Sequence, residues 1–265
     1  MSDRQEAFHA LHHAGRPLLL PNAWDHASAA ALAARGHPAI GTTSLGVAAA
    51  AGRPDGAAAT GAQTLALARR LARLPVLLTV DVEAGFSADP AVVADYVAEL
   101  AGVGVVGINL EDGRADGTLA DPEDTAEKIA AVKAAVPELF VNARTDTWWL
   151  KVTDPLPRTL ARSRAYRAAG ADGIFVPGIA DPATLRLLAE RIDAPLNALY
   201  QPGGPGLEEL GRAGVARVST GSLLFRAALA AAVDTAEAVR AGGVAASPAL
   251  PSYAEVQGLV AADGD

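Results

Sequence analysis

The chain has 265 residues, 51% of them hydrophobic, a length typical of one α/β barrel and enough apolar material for a large core. Its 22 Lys and Arg stand against 30 Asp and Glu, and the net charge of −8 argues against nucleic acid or an anionic membrane surface as the main partner. With no cysteine there is no disulfide, thiolate metal site or Cys nucleophile, and no apolar run is long enough for a transmembrane helix.

Residues 1–15 are polar with helical spacing and lack the apolar centre of a signal peptide, so the cytoplasm is the expected location. His9, His12 and His13 stand there at i, i+3 and i+4, as a metal patch or as a solvated helix face. The first strand is predicted at 18–21 and leads through Asn22, Ala23 and Trp24 into a helix over 25–35. The second, at 39–42, ends in Thr42, Thr43 and Ser44; Asp55 follows in a Gly-Arg-Pro-Asp-Gly turn before a helix over 62–73. The third, at 76–80, ends in Asp81, Val82 and Glu83, with a helix over 90–102. The fourth, at 106–110, ends in Glu111 and Asp112, with a helix over 125–135. The fifth, at 140–143, ends in Arg144, Thr145 and Asp146, with a helix over 158–169. A strand at 173–176 precedes a helix over 182–191. The seventh, at 196–199, is bracketed by Asn197 and Tyr200 and meets a helix over 206–213 through a glycine-rich loop. The last pair is a strand at 217–220 and a helix over 222–240. A Gly-, Ala-, Ser- and Pro-rich tail begins near 241, with a short helix over 252–260.

Asp89-Pro90, Asp121-Pro122 and Asp181-Pro182 each place a capping acid before a first-turn proline. Eight strands and eight helices in strict alternation predict parallel strands with helical crossovers, and this length suits a single (β/α)8 TIM-type barrel domain over 1–265. In such a barrel the chemistry sits at the C-terminal ends of the strands. Asp81, Glu83 and Glu111 crowd that rim with Arg144 beside them. Gathered carboxylates repel one another and resist desolvation unless a cation joins them, and hard oxygen ligands suit Mg²⁺, with Mn²⁺ as a substitute. Asp81 and Glu83, two apart on an extended segment, leave one face together, giving one direct and one water-mediated ligand. Arg144 offers a planar fork for a carboxylate, and Thr43 and Ser44 offer hydroxyl and N–H donors.

Four segments, Pro21–Asp25, Val80–Phe86, Gly107–Asp112 and Asn142–Asp146, together resemble the isocitrate lyase/phosphoenolpyruvate mutase superfamily, in order and correctly spaced over about residues 8–240. The resemblance implies a Mg²⁺-assisted enolate of a small 2-oxo acid, with a C–C or C–P bond made or broken beside the carbonyl. It implies Asp81 as the direct metal ligand, and Asp55, Glu83 and Glu111 as acids holding metal-bound water. Thr43, Ser44 and Leu45 would take the substrate's carboxylate and carbonyl, with Arg144 on the substrate and Asn197 near it. It also implies a homo-oligomer, a dimer or tetramer, that exchanges the last barrel helix between subunits. The Lys-(Lys/Arg)-Cys-Gly loop of the isocitrate and 2-methylisocitrate lyases is absent: residues 113–119 read Gly-Arg-Ala-Asp-Gly-Thr-Leu, where Arg114 and Asp116 are the remaining proton-donor candidates. Val176-Pro177-Gly178 replaces the His and Ser typical of the phosphonate mutases. A non-catalytic Mg²⁺-dependent 2-oxo acid binder and a phosphonopyruvate-processing enzyme remain alternatives. A Schiff-base aldolase lacks a lysine at any predicted strand end, since the chain has only Lys128, Lys133 and Lys151.

Overall fold

The computed structural model describes residues 2–243 and 250–260. Helix α1 (Asp3–Leu11) opens on a capping box between Ser2 and Gln5. It leads to β1 (Leu18–Leu20) and β2 (Asn22–Ala23), two halves of one barrel strand divided at Pro21. Pro21 has no N–H for the ladder, but its carbonyl accepts from Gly41 N at 2.9 Å. There follow α2 (His26–Ala34), β3 (Ala39–Thr42), α3 (Ser44–Ala50), α4 (Gly61–Leu71), β4 (Leu77–Asp81), α5 (Pro90–Gly102), β5 (Gly107–Glu111) and α6 (Pro122–Ala135). The second half runs β6 (Phe140–Arg144), α7 (Pro155–Ala168), β7 (Gly173–Phe175), α8 (Pro182–Arg191), β8 (Leu196–Leu199), α9 (Leu207–Arg212), β9 (Arg217–Ser219), α10 (Leu223–Arg240) and α11 (Tyr253–Gly258).

All strand pairings are parallel, in the order β1-β9-β8-β7-β6-β5-β4-β3-β2. Because β1 and β2 are continuous through Pro21, the two ends of that order meet. The sheet closes into a (β/α)8 barrel of the TIM type.

Helix starts follow local chemistry. Asp89 accepts from Ala91 N, Asp121 from Glu123 N, and Asp181 from Ala183 and Thr184 N, each just before its proline. Asp154-Pro155 repeats the residue pair at α7, but Asp154 has φ 52° and makes no cap bond. Helix α3 was not anticipated, because its sequence SLGVAAA has no polar stripe to set a period. The strands β4, β5 and β6 each run one residue further than expected. Asp81 pairs in register with Asn109, and Glu111 with Arg144, so these side chains are fixed by the ladder and not by loops.

The main core lies between strands and helices, and a second cluster of Phe8, Leu18, Leu20, Ala39, Val106 and Phe140 fills the N-terminal end of the barrel. Gly107 admits Phe8, since a Cβ there would lie 2.8 Å from the ring. Helix α1 therefore plugs the barrel floor. His12 joins the plug instead of solvent: it is 5% exposed, stacks on Phe140 at 4.1 Å, and sets Nδ1 2.8 Å from the Phe8 carbonyl. It forms no metal patch with His9 and His13. At the other end of the chain α10 barely touches the barrel. Phe225 is buried against Trp24, whereas Leu229, Val233 and Val239 are 51%, 61% and 62% exposed. No helix among the described residues is long and apolar enough to cross a membrane.

Candidate active site

The C-terminal ends of β2, β3, β4, β5 and β6 converge on a cavity of about 180 Å³. Thr43, Ser44, Leu45, Asp55, Asp81 and Arg144 all line it, which brings most of the sequence-predicted set to one place. A second hollow of about 290 Å³ shares Ser44, Asp55 and Arg144 with the first and adds Glu111 and Asp146.

Asp81 is the last residue of β4. Its N–H donates to the Thr42 hydroxyl at 2.9 Å, and its Oδ1 accepts from Glu83 N at 3.1 Å. Burial pushes its carboxyl up to about 6; Arg144 opposes the rise, and the charges of Asp55 and Glu83 add to it. Glu111 is pushed further, up to about 8, by burial and by Asp81, Asp146 and Asp55, again against Arg144. The rim thus holds more acid groups than its one cation can keep ionised.

Arg144 is the cation that organises the rim. Its Nη1 lies 2.7 Å from Glu111 Oε2, and its Nε and Nη2 donate to the two oxygens of Asp146 at 2.7 and 3.1 Å. Its guanidinium also sits 5.6 Å from the centre of the Phe175 ring. Asp146 is in turn fixed by its own N–H, which donates to Asp112 Oδ1 at 2.8 Å. Asp112 is fully buried and accepts from Arg162 at 2.9 Å and Tyr166 at 2.7 Å. Arg162 lies in the middle of α7 and Tyr166 in its last turn, both remote in sequence from any strand end, and sequence reasoning gave no signal for them.

Glu83 differs from its expected geometry. It adopts φ 50°, not an extended conformation, and its carboxylate accepts from Ala58 N at 3.0 Å and from the Thr60 hydroxyl at 2.8 Å. It therefore anchors the loop that carries Asp55 over the cavity. Asn197 lies one layer lower than expected, bonded to Ser219 at 3.0 Å, and is not among the lining residues. The strand has the bounds expected of it, and Leu199 at its end lines the cavity in place of Asn197. Asn22 and Asn109 line it too and were not singled out. Asn22 is fixed by Oδ1 accepting from Thr220 N and Gly221 N and by Nδ2 donating to the Thr42 carbonyl.

The loop after β5 forms a tight hairpin. Arg114 N donates to the Thr118 carbonyl at 2.8 Å, and Asp116 accepts from the Thr118 N–H and hydroxyl. Those bonds hold the Asp116 carboxyl below its ordinary range and leave it a poor proton donor. Lys128, from α6, donates to the Ala84 carbonyl at 2.8 Å.

Among the described residues no three His, Cys, Asp or Glu side chains converge to chelate an ion outright. The donor chemistry still fits a hard divalent cation. One carboxylate at a strand end faces the cavity, further acids stand around it, and a bound cation would let these buried acids ionise. Mg²⁺ retains most of its waters and needs few direct protein ligands.

A family profile described as phosphoenolpyruvate phosphomutase matches residues 8–240. The chain belongs to this family, and with it to the isocitrate lyase/phosphoenolpyruvate mutase superfamily. It is 48% identical over 251 residues to an uncharacterised protein of Mycobacterium tuberculosis (strain ATCC 25618 / H37Rv), covering 95% of each chain. It is 38% identical over 177 residues to the oxaloacetate decarboxylase of Ectopseudomonas mendocina (strain ymp), covering 62% of this chain and 58% of that one. Its fold matches a crystal structure of phosphonopyruvate hydrolase with oxalate and Mg²⁺ at a TM-score of 0.84 and 23% identity, over 97% of this chain and 95% of that one.

Proposed function

We propose that this protein is a Mg²⁺-dependent enzyme of lyase type that cleaves a C–C bond, or a C–P bond, beside the carbonyl of a small 2-oxo acid. The observation that carries the reading is the acidic rim. Asp81 and Glu111, both pushed up in pKa by burial and by neighbouring acids, line adjoining hollows that share one arginine, an arrangement that calls for a second cation. Kinship with an oxaloacetate decarboxylase, and a fold shared with a hydrolase that binds oxalate together with Mg²⁺, support it.

In this reading Asp81 is the direct ligand, and Asp55 and Glu111 hold water around the ion, while Glu83, expected to do the same, secures the loop that carries Asp55; Mn²⁺ would serve in its place. Bound there, the ion supplies a Lewis acid for the carbonyl and carboxylate oxygens of the substrate. The chain's own residues do the rest. Thr43, Ser44 and the backbone N–H of Leu45 donate to the oxygen on which charge gathers as the bond breaks. Arg144, held rigid by Asp146, orients the departing group. Asn22 and Asn109 shape the near wall, and the hairpin after β5 limits water entry. Asn197 acts on the substrate only through Ser219.

The working unit is a homo-oligomer, a dimer or tetramer, in which the apolar face of α10 packs on a second copy. The chain forms one barrel domain over 1–265 with a tail from about 241, part of which lies outside the described residues.

The test is turnover of oxaloacetate, 2-methylisocitrate and phosphonopyruvate by chelator-treated protein, with and without added Mg²⁺. Turnover of at least one that appears with Mg²⁺ and falls by about 10³-fold or more in Asp81→Ala is expected, beyond the loss of a single oxyanion donor. Undiminished turnover in metal-free buffer would overturn the proposal. Mg²⁺-dependent binding of these acids with no product would favour a non-catalytic binder.

A further inference from the structure

Beneath the cavity the barrel interior is polar, where barrels of this type are usually packed with branched apolar side chains. Asn142 Nδ2 and Arg217 Nη2 both donate to Asn109 Oδ1, at 2.9 and 3.1 Å. Arg217 Nε donates to Ser219 Oγ at 3.2 Å, and Ser219 bonds in turn to Asn197. Glycine makes room for this layer: a Cβ at Gly173 would lie 3.0 Å from Asn142 Oδ1.

Arg217 is the anomaly in the layer. It is 1% exposed, makes no ion pair among the described residues, and leaves Nη1 without a hydrogen-bond partner there. A buried guanidinium without a paired acid is costly, so its retention needs a reason. Burial pulls it down to about 9, and the charge that opposes this is that of Asp81. The geometry agrees. Asn109, which Arg217 holds, is the register neighbour of Asp81 across β4 and β5.

We propose that Arg217 is a positioning residue, a cation built into the barrel floor that offsets the acidic rim from below and fixes the cavity-lining Asn109, beside Asp81, and Ser219. It does not line the cavity, so it acts through those neighbours and through its field. The field has a defined consequence. A positive charge under Asp81 steadies the rim before a metal arrives, and it weakens the site for a divalent cation. Arg217 therefore holds Mg²⁺ affinity below what the carboxylates alone would give. This inference rests on the metal reading of Asp81.

The experiment is calorimetric titration of Mg²⁺ alone into wild type, Arg217→Met and Arg217→Gln, each first shown folded by circular dichroism and thermal melting. Methionine is the gentler change, since apolar replacements of buried charges often leave stability intact. We expect tighter Mg²⁺ binding in the folded variants, by about tenfold. We also expect a lower kcat, because Asn109 and Ser219 lose their anchor. Arg217 acting only as a hydrogen-bond hub would leave Mg²⁺ affinity at the wild-type value, and that result overturns the proposal. Failure of both variants to fold would also overturn it, by making Arg217 a requirement of the fold. Wild type that takes up no Mg²⁺ would instead overturn the metal reading, and this inference with it.

Discussion

Arg144 shows how one side chain sets the state of several others. Its fork engages Glu111 on one side and both oxygens of Asp146 on the other, a planar geometry that an ammonium cannot copy. Arg144→Lys should therefore lower kcat/KM by about 10² or more while the protein stays folded; steady-state kinetics on the best substrate, with circular dichroism as control, checks it. His12 gives a prediction with a definite sign. Burial holds it neutral, pulling its pKa from 6.5 down to about 3. The unfolded chain takes up that proton as pH falls below about 6.5, and the fold does not until about 3. This contribution is intact above pH 6.5 and is lost steadily between there and pH 3. From pH 7 to pH 5, urea unfolding should show wild type losing about 2 kcal/mol more than His12→Leu; equal losses would refute it. At this scale the sequence placed Asp81, Glu111 and Arg144 at strand ends, where the structure has them. It did not reveal that Glu83 turns into a left-handed conformation, or that Asn197 stops one layer short. The first depends on where a strand ends to within a residue or two, which is where periodicity is weakest; the second depends on how deep in the barrel each position of a correctly placed strand sits.

Elements were most legible where local chemistry alone fixes them. The Asp-Pro starts of α5, α6 and α8 formed as expected, each with a side-chain cap. Asp181→Ala should cost about 1 kcal/mol in chemical unfolding. The Asp-Pro pair at α7 carries no cap bond, so Asp154→Asn should cost distinctly less. Helix α7 contributes instead through its interior. Arg162 and Tyr166 clamp the buried Asp112, which holds Asp146, which holds Arg144. Arg162→Met strands a buried carboxylate and should destabilise by about 3–5 kcal/mol in urea unfolding. A loss below 1 kcal/mol would mean that the clamp carries little. No sequence pattern announces such a chain of contacts, because its members meet only after the barrel closes.

Across the whole molecule, alternation of short apolar runs with Ala- and Leu-rich segments was enough to read a (β/α)8 barrel. It could not show the N-terminal plug, since Phe8 enters only because Gly107 leaves space across the barrel. Nor could it show that α10 turns Leu229 and Val233 outward, a pattern that a second copy would cover. Leu229→Glu with Val233→Glu should shift the protein to a smaller species in sedimentation velocity. A wild type that is already monomeric would contradict the exchanged-helix reading. The proposed chemistry above all needs a divalent cation at Asp81. Crystals soaked in Mn²⁺ and oxalate, with anomalous data at the manganese edge, test this most directly. The account predicts one strong peak at coordination distance from the Asp81 carboxylate, with Glu111 and Asp55 reaching it through water. A map with no peak at the end of β4, or with the ion held elsewhere and Asp81 bare, would contradict it.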